Sequence, residues 1–154
     1  MTKLCQKRLL NEIPRLNDYY PLDFYLETEF DKYNNLVYLV KENTNKIEII
    51  LCKHYPFKPP AKLKINNTDY LNLLCYSNKY LEKVLETKKI KCLCCSTMLC
   101  ANNWSPSKTL LKLLHEYFNN KDMVIKSIYT KYIDIIISQN NMPLKIKENI
   151  LKYI

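Results

Sequence analysis

The chain has 154 residues, 47% of them hydrophobic, and a formal net charge of +9. That length suits one α+β domain with a proper core, and so much apolar content excludes a chain dominated by disorder. No apolar run is long enough to span a bilayer and residues 1–20 lack a signal-peptide core, so the expectation is a soluble cytoplasmic or nuclear protein that binds no membrane.

Residues 3–16 read as an amphipathic helix. Leu9, Ile13 and Leu16 share one face with Leu10 beside them, Lys3, Lys7 and Arg8 form a basic side, and Pro14 with Asn17-Asp18 marks the end. Three strand-like stretches follow, Phe24–Phe30, Leu36–Lys41 and Lys46–Cys52, with Leu63–Ile65 as a short fourth. Sequential strands joined by tight turns make an antiparallel meander. Residues 77–89 are helical, with Tyr80, Leu81, Val84 and Leu85 at helical spacing, and residues 90–104 form an irregular Cys-rich segment. Ser107–Phe118 reads as a helix with Ser105 or Ser107 as its N-cap, residues 122–138 as a second, and Met142–Ile154 as a last one with Pro143 in its first turn. The whole is one domain over residues 1–154, a sheet packed on helices.

Glycine is absent altogether, while Lys, Asn, Ile, Leu and Tyr are heavily used. That is the codon usage of an AT-rich genome, such as that of a large DNA virus or an AT-rich protist. Turns must then rely on Asn and Asp, the usual substitutes where positive φ is needed. Asn34-Asn35, Asn66-Asn67, Asn119-Asn120 and Asn140-Asn141 read as such punctuation. The Lys residues are scattered, so the net charge reads as a solvated basic surface, with an acidic partner or nucleic acid as the sharper alternative.

Seven cysteines in a chain without a secretory signal imply reduced thiols, metal ligands or a catalytic group. Cys92, Cys94, Cys95 and Cys100 cluster. Cys92-x-x-Cys95 has zinc-knuckle spacing, and Cys75 and Cys100 could complete four thiolates. The competing account makes one thiol a nucleophile, reactive as its thiolate. Lys88, Lys89 and Lys91 would lower the pKa of Cys92 if they lie close to it. A third account keeps Cys92 catalytic, with Cys94, Cys95, Cys100 and Cys75 around a metal or merely buried, and a fourth makes several of them buried apolar thiols. His54 and His115 have no recognisable partner and read as structural.

Tyr55-Pro56-Phe57-Lys58-Pro59-Pro60 reads YPFKPP, residues 104–106 read WSP, and Cys92-Leu93 lies between, after Ile90-Lys91. With Lys7-Arg8-Leu9 on the first helix, this order over roughly residues 5–120 resembles the ubiquitin-conjugating enzymes. The resemblance implies their α+β fold, with a core over about residues 3–120, a helical insertion over 77–89 and altered C-terminal helices over 122–154. It implies a transferase that carries ubiquitin or a ubiquitin-like modifier as a thioester on Cys92, with an activating enzyme and a ubiquitin ligase as partners. Asn72 falls at the asparagine of the family's HPN motif, here Tyr70-Leu71-Asn72, and would stabilise the oxyanion; a turn asparagine is the alternative. Asp122 falls near the acid that positions the attacking lysine, or is a solvated loop residue. Phe57, Ser105, Pro106 and Ser107, with Lys7 and Arg8, match the docking face. The activity requires no cofactor. Two other readings stay open: a non-catalytic variant of the same fold with its cysteines structural or on zinc, and a basic zinc-containing nucleic-acid binder.

Overall fold

A computed structural model describes residues 3–19, 26–30, 36–42, 45–140 and 143–151. The architecture is α+β. Helix α1 (Lys3–Tyr19) leads into strands β1 (Leu26–Phe30), β2 (Leu36–Glu42), β3 (Asn45–Ile50), β4 (Lys62–Ile65) and β5 (Thr68–Asp69). The strands form one antiparallel sheet in sequence order, the predicted meander with a two-residue fifth strand added. Register runs Thr28 to Tyr38, Tyr38 to Ile49 and Ile49 to Leu63. Helices α2 (Tyr70–Leu74), α3 (Lys79–Thr87), α4 (Leu93–Ser96), α5 (Leu110–Gln139) and α6 (Leu144–Leu151) follow.

Alternation along β3 shows how the sheet faces its core. Ile47 and Ile49 are fully buried, while Lys46 and Glu48 pair on the other face at 2.8 Å. The buried residues meet Leu63 of β4, Leu9 and Leu16 of α1, and Leu110, Leu113, Leu114 and Tyr117 of α5 in one cluster. Burying such aliphatic side chains contributes roughly 1.5–3 kcal/mol each, so this seam is the main source of stability. The turn between β4 and β5 is Asn66-Asn67, with φ of 48° and 67°. Both residues occupy the left-handed region that a tight two-residue hairpin demands, so asparagine does the work of glycine as the composition implies. Lys89 also has positive φ, 56°. It closes α3 through Lys89 N–H to the Glu86 carbonyl and Ile90 N–H to the Leu85 carbonyl, a helix stop usually built on glycine.

Three sequence expectations are corrected. Helix α1 runs through Pro14 to Tyr19. Pro14 and Leu10 both lie on the solvent side, so the Leu10 carbonyl that loses its donor can turn to water. Leu10 is 72% exposed, while Cys5, Leu9, Glu12 and Leu16 form the buried stripe. The two helices expected over 107–118 and 122–138 are one continuous 30-residue α5, roughly 45 Å long. Asn119-Asn120 is therefore no turn. Asn120 is buried, and its amide donates to the Tyr70 hydroxyl at 2.6 Å, which removes its competition with the helix backbone. The N-cap of α5 is Thr109, whose hydroxyl accepts from Lys112 N–H at 3.2 Å, and not Ser105 or Ser107, which bond to each other. Asn34-Asn35 and Asn141 lie outside the described residues.

Candidate functional site: a thiol loop beside an aromatic turn

The site rests on two polar clamps. The first joins α1, the proline turn and the start of α5. Glu12 is 4% exposed on the buried stripe of α1. Its carboxylate accepts from the Tyr55 hydroxyl at 2.9 Å, from the Leu110 backbone N–H at 2.9 Å and from Arg8 Nε. Arg8 Nη2 also donates to the Lys108 carbonyl at 2.7 Å. Glu12 thus satisfies a free N–H in the first turn of a helix distant in sequence, and a carboxylate is favoured there. Burial, and then the nearby Glu12 charge, push the Tyr55 phenol well above its ordinary value, so it stays a neutral donor.

From Tyr55 the chain turns at a cis Tyr55–Pro56 bond, with Phe57 N–H donating to the His54 carbonyl at 2.8 Å. Tyr55 and Pro56 are buried, and Phe57 is left 66% exposed. Trp104 Nε1 donates to the Pro56 carbonyl at 2.7 Å, and its ring lies 5.9 Å from that of Tyr55. This bond holds the YPFKPP turn beside the segment Ser105–Ser107. Phe57, Pro106 and Ser107 are exposed around it, with Ser105 half-buried. Lys7 is exposed on α1. Arg8, expected on the docking face, is half-buried, with its guanidinium bonded to Glu12 and the Lys108 carbonyl.

The second clamp shapes the cysteine loop. Glu116, from the second turn of α5, accepts from Met98 N–H at 2.7 Å and from the Thr97 hydroxyl. Asn103 donates from its amide to the Cys95 carbonyl at 2.7 Å and the Thr97 carbonyl at 3.1 Å. Ser96 hydroxyl bonds the Cys92 carbonyl at 2.8 Å. Around this turn Cys92 caps the single-turn α4, its Sγ accepting from Cys95 N–H at 3.3 Å. Cys94 Sγ lies 3.3 Å from Cys92 Sγ and 3.9 Å from Cys95 Sγ. Cys92 is half-buried, and Cys94 and Cys95 are exposed. The helical segment expected over 77–89 packs as α3 on α5, with Leu81 and Leu85 inward, and leaves the thiols open to solvent.

Electrostatics separates the three thiols. Hydrogen bonds from the Cys95 and Cys94 thiols and from Cys95 N–H lower the Cys92 pKa. The Cys92 hydrogen bond in turn raises Cys94 and, with help from Cys94, pushes Cys95 up to about 12. The lysine charges expected to act on Cys92 are not the cause; neighbouring donors are. A lowered pKa means that thiolate appears at lower pH. Iodoacetamide is therefore expected to label Cys92 before Cys94 and Cys95, with the onset of labelling at lower pH for Cys92, as peptide mass mapping over a pH series would measure. Equal onset for all three would contradict this electrostatic ordering.

Among the described residues, Cys92, Cys94 and Cys95 have sulfurs all within 4.8 Å of one another and could hold a metal ion. The set proposed from spacing is thereby corrected. Cys94 belongs to the group, and Cys75 and Cys100 do not. Cys75 ends α2 and is exposed, and α2 packs on α4. Asn72 is exposed on α2 and so is helical, not a turn residue. Asp122 is exposed within α5, not in a loop, and makes no hydrogen bond or ion pair among the described residues.

Sequence reading missed Glu12, Glu116 and Asn103. Glu12 carried a signal: a carboxylate three residues after Leu9 and four before Leu16 sits on the apolar stripe. The other two partners are set by tertiary contacts across 18 and 8 residues. The geometry defines an α+β domain bearing a solvent-reachable three-thiol loop. No family model, curated protein or solved structure matches the chain. Among the described residues no helix is long and apolar enough to cross a membrane.

Proposed function

We propose that the chain is a ubiquitin-conjugating-type carrier with Cys92 as its acyl acceptor. The observation that carries this reading is that Cys92, which the Cys92-Leu93 context singles out, caps α4 with its Sγ accepting from Cys95 N–H at 3.3 Å, an arrangement that favours the thiolate. Element order supports it: helix, meander, proline turn, cysteine loop, Trp104 segment and long helix come in the family's sequence. In the reaction, Cys92 Sγ attacks the thioester carbonyl of ubiquitin or a related modifier on the activating enzyme, whose own thiolate leaves. A lysine amine then attacks the new thioester, Cys92 leaves as thiolate, and the amine gives up a proton as the isopeptide bond forms. Asn72 is the candidate amide donor to the oxyanion, and Asp122 the candidate acid for positioning the amine. Phe57 with Ser105–Ser107, and Lys7 beside them in the docking assignment, would receive the activating enzyme and the ligase.

A second reading keeps the fold and drops the transfer: a binding module of the ubiquitin pathway with its thiols structural or on zinc. The specific observation favouring it is the packing of Cys94 and Cys95 against Cys92, which a lone nucleophile does not need.

The test is a charging assay on reduced, chelator-stripped protein with activating enzyme, modifier and ATP. The carrier reading expects an adduct that reductant dissolves. Cys92→Ser should abolish it or replace it with a reductant-resistant ester, while Cys95→Ser still charges. A folded sample that forms no adduct with ubiquitin or related modifiers sinks the carrier reading and leaves the second.

A further inference from the structure

We propose that Cys92, Cys94 and Cys95 bind a soft tetrahedral cation, Zn²⁺ foremost, with Cys75 of α2 as the fourth thiolate. The claim concerns metal binding by the free thiols and stands whether or not the chain is an acyl carrier.

Sulfur spacing is the first argument. Four thiolates about 2.3 Å from a tetrahedral zinc lie roughly 3.8 Å from one another. The observed Sγ separations are 3.3 Å for Cys92–Cys94 and 3.9 Å for Cys94–Cys95, and all three sulfurs fall within 4.8 Å. Small rotations of the exposed Cys94 and Cys95 side chains close the remaining difference. Ligand chemistry is the second: a set of thiols alone suits Zn²⁺ or Cu(I) and not Mg²⁺ or Ca²⁺, which take oxygen.

Support around the loop is the third. Glu116 and Asn103 fix its backbone from outside, through Thr97, Met98 and Cys95, without using any sulfur. The ligands are thus held in place by a surrounding shell, as metal sites require. Cys75 lies outside the 4.8 Å group, but it is exposed at the end of α2, the helix that packs directly on α4, which makes it the thiol placed to complete the set. A metal there would tie α2 to α4. It would also occupy the Cys92 sulfur, so the metal-loaded chain could not accept an acyl group until the ion left.

The experiment is titration of the reduced full-length chain with Co²⁺ and then Zn²⁺ under anaerobic conditions, with metal content measured after dialysis. The expected result is one ion per chain, a thiolate-to-cobalt charge-transfer band of tetrahedral type, and displacement of cobalt by zinc. Cys94→Ser should weaken binding at least about tenfold. Cys75→Ser should weaken it too and reduce the charge-transfer intensity toward that of three thiolates. Cys100→Ser should change neither. Circular dichroism checks that each variant folds. A wild-type chain that retains no metal overturns the site, as does a Cys100→Ser effect equal to that of Cys94→Ser. An unchanged cobalt spectrum in Cys75→Ser overturns the fourth ligand. Charging of the chelator-stripped protein reads out separately, so loss of one proposal is not loss of the other.

Discussion

Glu12→Ala is expected to lower the free energy of unfolding by about 3 kcal/mol, measured by urea denaturation at neutral pH. Removing one member of a buried ionic network costs about 3–5 kcal/mol, because its partners stay buried without compensation. Here the partners are the Tyr55 hydroxyl, the Leu110 N–H and Arg8. The Arg8 side chain keeps 26% of its surface in water, so it can be partly resolvated, which puts the loss at the lower end of that range. Two further variants separate charge from shape. Glu12→Gln retains an acceptor for Leu110 N–H and should lose less than Glu12→Ala. Tyr55→Phe removes a single donor and should cost roughly 1 kcal/mol. If Glu12→Ala were no worse than Tyr55→Phe, Glu12 would not be the centre of the clamp. Since Glu12 links α1, the proline turn and the start of α5, its loss should also loosen the surface that carries Phe57.

Trp104→Ala is expected to destabilise the fold by about 3–5 kcal/mol, the usual cost of removing a buried tryptophan. Trp104 is 9% exposed and belongs to the main core cluster. Trp104→Phe isolates the hydrogen bond. It keeps an aromatic ring against Tyr55 but strands the Pro56 carbonyl, at a cost of roughly 1–3 kcal/mol. Phe57→Ala is the functional counterpart. An exposed side chain away from any clamp should shift stability by no more than about 0.5 kcal/mol. On the carrier reading the same change should slow charging and ligase-dependent transfer, because an exposed aromatic beside a proline turn is a natural anchor for a partner. Thermal unfolding of both variants, alongside the charging assay, distinguishes a framework residue from a contact residue. A Phe57→Ala protein that unfolds early, or a stable one that charges at the wild-type rate, contradicts this division.

Local chemistry made much of the architecture legible in the sequence. The alternation around Ile47 and Ile49 and the spacing of turns specify a meander, because successive strand side chains point to opposite faces. Asn66-Asn67 could be read as a tight turn since few residues besides glycine tolerate positive φ there. A helix over 77–89 was legible from Leu81 and Leu85 at helical spacing; its bounds, Lys79–Thr87, are set by Asn78 capping two N–H groups at the start and by the turn at Lys89. Clustering of the cysteines singled out the loop in which three sulfurs come together.

What only the tertiary structure decided are the features whose energy comes from partners distant in the chain. Asn119-Asn120 looks like a helix break by local propensity, yet α5 passes through it because Tyr70 gives Asn120 a buried partner. Pro14 looks like a helix end, yet α1 continues because the proline lies on the wet side. Arg8 looks like a docking residue, yet Glu12 and Lys108 claim it. Spacing in the sequence grouped Cys75 and Cys100 with Cys92 and Cys95; the turn of α4 instead brings the Cys94 sulfur together with those of Cys92 and Cys95. Propensity and pattern act over a few residues, whereas burial and hydrogen-bond satisfaction act over the whole fold and override them where they conflict.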